Sequence, residues 1–151
     1  MQTFLPYQTF TKSLSCLDNK RLGKQRVEAM QILNALEPSS NSRWRNHPAV
    51  KMWASYEDLL KAYHDLAIAI WVNRGFKNTM NYKLNACRMM QILTIKKPAW
   101  LTEQFCSAHR SNLLRKDFAF YSKYGWTEQP DQEYIWPTKQ TELQPSSELQ
   151  P

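Results

Sequence analysis

Residues 17–30, LDNKRLGKQRVEAM, set a single glutamate among several cations. At about 100° per residue, a helix here gathers Leu22, Ala29, Met30, Leu33 and Leu36 into a core-facing stripe. Arg21, Lys24, Gln25 and Glu28 gather on a neighbouring face, with Glu28 one turn from Lys24 and two from Arg21. The arrangement has two readings. One is a solvated i, i+4 ion pair, which contributes about 0.2–0.5 kcal/mol and no function. The other is a carboxylate set inside a phosphate-binding surface. Cations there hold an anionic backbone while the carboxylate acts as acid or base, or meets positive charge developing at a sugar.

Two more stretches carry the same kind of residue. In Arg43-Trp44-Arg45-Asn46-His47-Pro48, cations alternate with an aromatic on a loop leading into a helix N-terminus, which suits phosphate binding and base stacking. Trp44 reads equally well as a core anchor, and His47 as a capping residue. In residues 109–117, HRSNLLRKD, Leu113 and Leu114 can turn inward. That leaves His109, Arg110, Asn112, Arg115 and Lys116 as candidates to reach a partner. One helix cannot turn all five to a narrow face, so part of this set is solvated surface. Three basic clusters in one small chain point to nucleic acid.

The charge balance agrees. Lys and Arg number 20 against 13 acids, a formal net charge of +7. Residues 138–151 carry Lys139, Glu142 and Glu148, a net −1, so the surplus lies in residues 1–137. Excess positive charge favours polyanions, nucleic acid first and anionic membrane second.

The elements that must position these groups read as helices. Only three Gly occur in 151 residues, too few for a hairpin-rich β architecture, while six Trp, seven Tyr and six Phe argue for a packed core. Residues 1–7 form a short apolar lead. A short helix is predicted over about Thr9–Leu17, then a stronger one capped by Asp18 and ending near Leu36, before Pro38. The polar loop 38–47 precedes a long helix from Pro48 to about Asn73. Its stripe is Trp53, Tyr56, Leu60, Tyr63, Ala67 and Ile70, and Gly75 stops it. Residues 78–95 are expected to be helical. Thr102 and Glu103 open a helix through Lys116, and a last turn or two ends at Gly125. The expectation is an all-α, compact, single-domain helical bundle over 1–137, with the N-terminal segment packed into the site. A disordered tail rich in Gln, Ser and Pro is expected over 138–151.

Other chemistries find little support. Cys16, Cys87 and Cys106 form no CxxC pair and read as reduced thiols. His47, His64 and His109 fall in separate elements, and no zinc, calcium, P-loop or dinucleotide motif occurs, so neither metal nor cofactor is expected. The start lacks a signal-peptide pattern, and no apolar run approaches the roughly 20 residues of a membrane span. A cytoplasmic monomer is expected, in the nucleoid or in a phage-infected cell, with no membrane partner.

At these same stretches the chain resembles the pyrimidine-dimer DNA glycosylases, the phage endonuclease V type with its bacterial and viral relatives. The resembling segments are TFLPY at 3–7, KRLGKQRVE at 20–28, NHPAVKMW at 46–53, NRGF at 73–76, HRSNLLRKD at 109–117, and YGW with YIWP within 124–137. The resemblance implies a compact all-α fold whose N-terminus lies in the active site. It also implies an α-amine that attacks the sugar C1′, a glutamate on the next long helix that assists, and a Schiff base that leads to strand cleavage. Glu28 matches the glutamate through a one-residue shift; the other register puts Gly23 there. Arg21, Arg26 and Arg110 match the family's phosphate-binding arginines. Gln2 is bulky where the phage enzyme exposes a small residue after losing Met1. The resemblance then assigns the amine to Met1, or the lyase step is absent.

The expected partner is duplex DNA with a lesion or modified base, and the expected activity is excision of a damaged or modified pyrimidine, with or without strand nicking. Two alternatives stand beside it: a non-catalytic nucleic-acid-binding module on the same fold, and a nucleotide or small-ligand binder in phage–host defence.

Overall fold

The computed structural model describes residues 1–137; the tail expected over 138–151 lies outside the described residues. Among the described residues, seven α-helices and one 3-10 turn make up the regular structure and no strand occurs. The fold class is all-α, as the composition and periodicity indicate. No helix among the described residues is long and apolar enough to cross a membrane. The described residues pack as two units, residues 1–4 with 9–96, and residues 5–8 with 97–137.

The first unit holds α1 (Phe10–Ser15), α2 (Asn19–Leu36), α3 (Pro48–Trp53), α4 (Glu57–Asn73) and α5 (Ala86–Leu93). α2 packs on α3 and α4, and α4 also receives α1 and α5. The α2 stripe buries Leu22, Ala29, Ile32 and Leu33. Burying a leucine or isoleucine side chain contributes about 1.5–3 kcal/mol relative to exposure. Asp18 takes the N-cap position of α2, but no side-chain capping bond forms; its carboxylate instead accepts from Arg21 at 3.2 Å. Gly75, at φ +93°, follows α4 as a left-handed stop.

The single long helix expected from Pro48 to Asn73 is two helices. Tyr56 leaves helical geometry at φ −133°, ψ 38°, and its N–H closes a turn onto Trp53 O at 2.8 Å. Glu57 and Asp58 then restart the chain where acids are favoured, in the first turn of α4. Core packing explains the break. Ten residues of continuous helix would set Trp53 and Tyr63 about 15 Å apart along the axis. Their ring centroids are 6.1 Å apart, and the edge of Phe10 meets both, at 6.1 and 5.6 Å.

The helix expected over 78–95 is confined to α5. Residues before it give their backbone N–H groups to another acceptor: the Asp65 carboxylate takes those of Lys83 (2.9 and 3.0 Å) and Leu84 (2.8 Å). Asn85 then caps α5 by accepting from Arg88 N at 2.7 Å. A buried anion on α4 outweighs modest local propensity.

The second unit is built on α6 (Glu103–Lys116), α7 (Phe118–Tyr121) and a 3-10 turn at Ser122–Tyr124. Thr102 caps α6 by accepting from Phe105 N (3.2 Å), and Asp117 caps α7 through Phe120 N (3.1 Å). Gly125 ends the turn at φ +70°. Beyond it, Trp126 stacks on Tyr121 and Tyr124 and donates from Nε1 to the Tyr7 hydroxyl at 2.9 Å.

Candidate active site and nucleic-acid face

The site in the first unit is built around the start of the chain. Glu28 Oε2, on α2, accepts the backbone N–H of Gln2 at 3.0 Å. Gln25, one turn earlier and fully buried, accepts from Phe4 N at 2.8 Å and donates to Gln2 O at 2.9 Å. Thr3 is pinned from α3, its hydroxyl accepting from Trp53 Nε1 at 3.0 Å. The α4 residue Tyr63 donates to Phe4 O at 2.9 Å. Three helices therefore converge on three residues of N-terminal chain, and Met1, half-buried, lies one peptide from the nitrogen that Glu28 holds.

His47 belongs to the same neighbourhood. It caps α3, its Nδ1 accepting from Ala49 N at 3.0 Å. Burial holds its pKa below the usual histidine value. The charge of the N-terminal amine lowers it further, while Glu28 pulls the other way. With Nδ1 committed as acceptor, the neutral ring carries its hydrogen on Nε2. The edge of the imidazole meets Trp44, centroids 5.8 Å apart, and Arg43 lies over the Trp44 ring at 4.9 Å. Arg45 turns back to donate to Ser40 O. Trp44 is half-exposed on this loop and outside the core, and Arg43 and Arg45 are exposed. Of the two readings left open for His47, capping is met directly.

On α2, Arg21 and Lys24 share the Glu28 side of the helix, Lys24 exposed and Arg21 paired with Asp18. Arg26 does not. It turns to the opposite edge of the buried face, where its guanidinium sits 4.3 Å from the Trp71 ring and donates to Asn78 at 3.3 Å. Phe76 stacks on Trp71 with centroids 4.2 Å apart. Gly23 faces this stack: an added Cβ would lie 3.1 Å from Trp71. The alternative register therefore puts a residue without a side chain against an indole, whereas Glu28 puts a carboxylate at the chain's start.

The third basic stretch is placed differently from the expectation of a partner-facing surface. In the second unit His109, Arg110 and Asn112 are interior. His109 Nδ1 accepts from Leu5 N at 2.9 Å, and burial lowers its pKa to about 3, which keeps it neutral. Arg110 donates from Nε to Glu128 (2.9 Å), from Nη1 to Pro6 O (2.8 Å), and also to Glu103. Burial opposes that charge, but the two carboxylates more than offset it and raise the pKa. Asn112 donates to Ala108 O and Gln132 O, at 2.7 and 3.0 Å, and accepts from Arg115. Backbone at residues 5, 6 and 132, together with the side chains of Glu103 and Glu128, supplies these partners, and helical spacing within 109–117 carries no sign that those segments return to α6. Arg115 and Lys116 remain exposed at its C-terminal end.

The sequence reading missed Gln25, Thr3, Trp53 and Tyr63 as site-building residues. The one signal for Gln25 was its position: an uncharged polar residue beside an apolar stripe, three residues before the glutamate. Burial pushes the thiols of Cys16 and Cys106 up to about 12, far from a reactive thiolate. Among the described residues, no group of three or more His, Cys, Asp or Glu is placed to hold a metal ion.

An all-α chain whose first residues are bonded to a glutamate, on a helix that also bears exposed cations, has the layout of an enzyme acting on a polyanion. A family model described as pyrimidine dimer DNA glycosylase matches residues 1–84, more than half of the chain, and the protein belongs to that family. No curated protein and no solved structure gives a significant match. The matched region contains the N-terminal segment, Glu28, the 43–47 loop and α4, and the activity carried by the family is that of a DNA glycosylase.

Proposed function

We propose that the protein excises a damaged or modified pyrimidine from DNA, with the N-terminal α-amine of Met1 as nucleophile and Glu28 as its carboxylate partner. The observation that carries this reading is the 3.0 Å bond from Gln2 N to Glu28, which seats the chain's start on an acid. α-Amines as a class are less basic than lysine side chains, which suits them to nucleophilic attack. Attack on C1′ forms the N–C1′ bond as the glycosidic bond breaks and the base leaves with a proton. Opening of the sugar ring gives an iminium, which Glu28 stabilises, and loss of a C2′ proton then allows elimination of the 3′ phosphate. Lys24, Arg43, Arg45, Arg115 and Lys116 are assigned to phosphate contacts, Arg21 to a contact made in exchange for Asp18, and Trp44 to stacking on a displaced base. His47, through Nε2–H, is assigned to donate to the DNA.

The test is borohydride trapping on DNA carrying a pyrimidine dimer, an abasic site or a modified pyrimidine. The expected result is a covalent adduct on an N-terminal peptide, lost when the α-amine is acetylated. Base release without an adduct would leave a glycosylase lacking the lyase step. Salt-dependent binding with neither, unaffected by Glu28→Gln, would instead favour the non-catalytic module.

A further inference from the structure

We propose that Gln25 is a positioning residue for the glycosylase reaction, its buried carboxamide holding residues 2–4 in the register that sets the chain's start on Glu28. This rests on the functional reading above.

The bonding pattern is that of one edge of an extended chain. Along such an edge the N–H and C=O of residue i and of residue i+2 face the same way. Here all four groups of residues 2 and 4 are taken by side chains. Glu28 accepts Gln2 N, Gln25 donates to Gln2 O and accepts Phe4 N, and Tyr63 donates to Phe4 O. Side chains from α2 and α4 thus do what a neighbouring strand would do. A one-residue slip would turn the opposite edge inward, and a two-residue slip would move the chain by roughly 6–7 Å.

Gln25 is the centre of this clamp. It is 0% exposed, so each of its polar groups must find a partner inside the protein. Its second N–H reaches Glu28 Oε2 at 3.5 Å, tying the acid to the same amide that reads the backbone. The amide orientation is forced: Phe4 presents a donor and Gln2 an acceptor, so a flipped Gln25 would set N–H against N–H and O against O. The Tyr63 hydroxyl lies between Phe4 O and Gln25 Oε1, with a single proton to serve both. Burial, and next the charge of Glu28, raise the Tyr63 pKa well above its usual value, so this group remains a neutral donor.

The experiment compares wild type, Gln25→Glu and Tyr63→Phe, each checked by thermal melting. Gln25→Glu keeps the shape and loses both N–H donors; Tyr63→Phe keeps the ring and loses only the hydroxyl, and it decides the matter if the first variant does not fold. The readouts are kcat and KM for base release, the rate of adduct trapping, and hydrogen exchange at the Gln2 and Phe4 amides. The expected result is a kcat about 10–100-fold lower in Gln25→Glu and about 3–10-fold lower in Tyr63→Phe, with KM within about threefold and faster exchange at both amides. A folded Gln25→Glu with wild-type kcat and wild-type exchange overturns the proposal alone. So does a parallel loss of kcat and DNA affinity, which would mark general loosening. A wild-type chain that neither releases base nor forms an adduct overturns the functional reading, and this proposal with it.

Discussion

The imidazole of His109 accepts the backbone N–H of Leu5 through Nδ1, at 2.9 Å, with no part of the side chain exposed to solvent. A histidine so placed stabilises the fold only while neutral. Burial lowers its pKa from 6.5 to about 3, and His47, which caps α3 through the same ring atom, is shifted in the same direction. Both groups gain protons more readily when unfolded, so their contribution is complete above about pH 6.5 and is lost as the pH falls toward 3. The free energy of unfolding is expected to fall steeply over that window, by on the order of 3–5 kcal/mol at its acid end, with a matching drop in melting temperature. A flat profile between pH 6.5 and 4 would contradict the neutral buried imidazole.

Glu28→Gln keeps an acceptor for Gln2 N and removes the charge. Base release is expected to fall about 10²–10⁴-fold, with DNA affinity unchanged or slightly tighter. Single-turnover kinetics at saturating DNA separate the two effects; wild-type kcat in this variant would remove Glu28 from the chemistry.

Arg110 and Lys24 should part company under mutation. Arg110→Ala leaves the half-buried Glu128 without its cation and Pro6 O without its donor, and is expected to cost about 3–5 kcal/mol of stability. Lys24→Ala is expected to leave stability nearly unchanged. It should weaken DNA binding evenly across sequences and reduce the salt slope by about one. Urea unfolding and salt-titrated binding on both variants check the pair of outcomes, and the reverse pattern would show that Arg110 contacts phosphate.

Gly23→Ala sets two effects against each other. Alanine gains roughly 1 kcal/mol over glycine within a helix. The new Cβ would lie 3.1 Å from a Trp71 held by Arg26, by Phe76 and by its own Nε1 bond to Lys77 O, and crowding of this kind costs about 1–3 kcal/mol. The net expectation is destabilisation of about 1 kcal/mol with altered Trp fluorescence; a clearly stabilised variant would mean that the stack yields freely.

Local signals were legible where one helix turn decides the outcome. The α2 stripe of Leu22, Ala29 and Leu33, the Thr102 cap, and the stops at Gly75 and Gly125 depend on neighbours within about four residues, so periodicity and turn chemistry locate them. Glu28 was legible for the same reason, as a carboxylate at helical spacing from cations. The α3–α4 break and the irregular run before α5 were not. The first follows from Trp53, Tyr63 and Phe10 meeting in one core, and the second from the Asp65 carboxylate reaching Lys83 and Leu84. Both are partnerships between residues distant in the chain.

Composition and spacing alone determined that the protein is helical, basic and furnished with a glutamate among cations, because these are sums or short-range periodicities. Which of the polar residues turn outward was decided only by the folded chain. Arg43 and Arg110 look alike in sequence, yet one lies on an exposed loop and the other is enclosed by Glu103, Glu128 and Pro6. The reason is that a buried polar group is tolerated only when segments from elsewhere bring it partners, and which segments return is a property of tertiary structure.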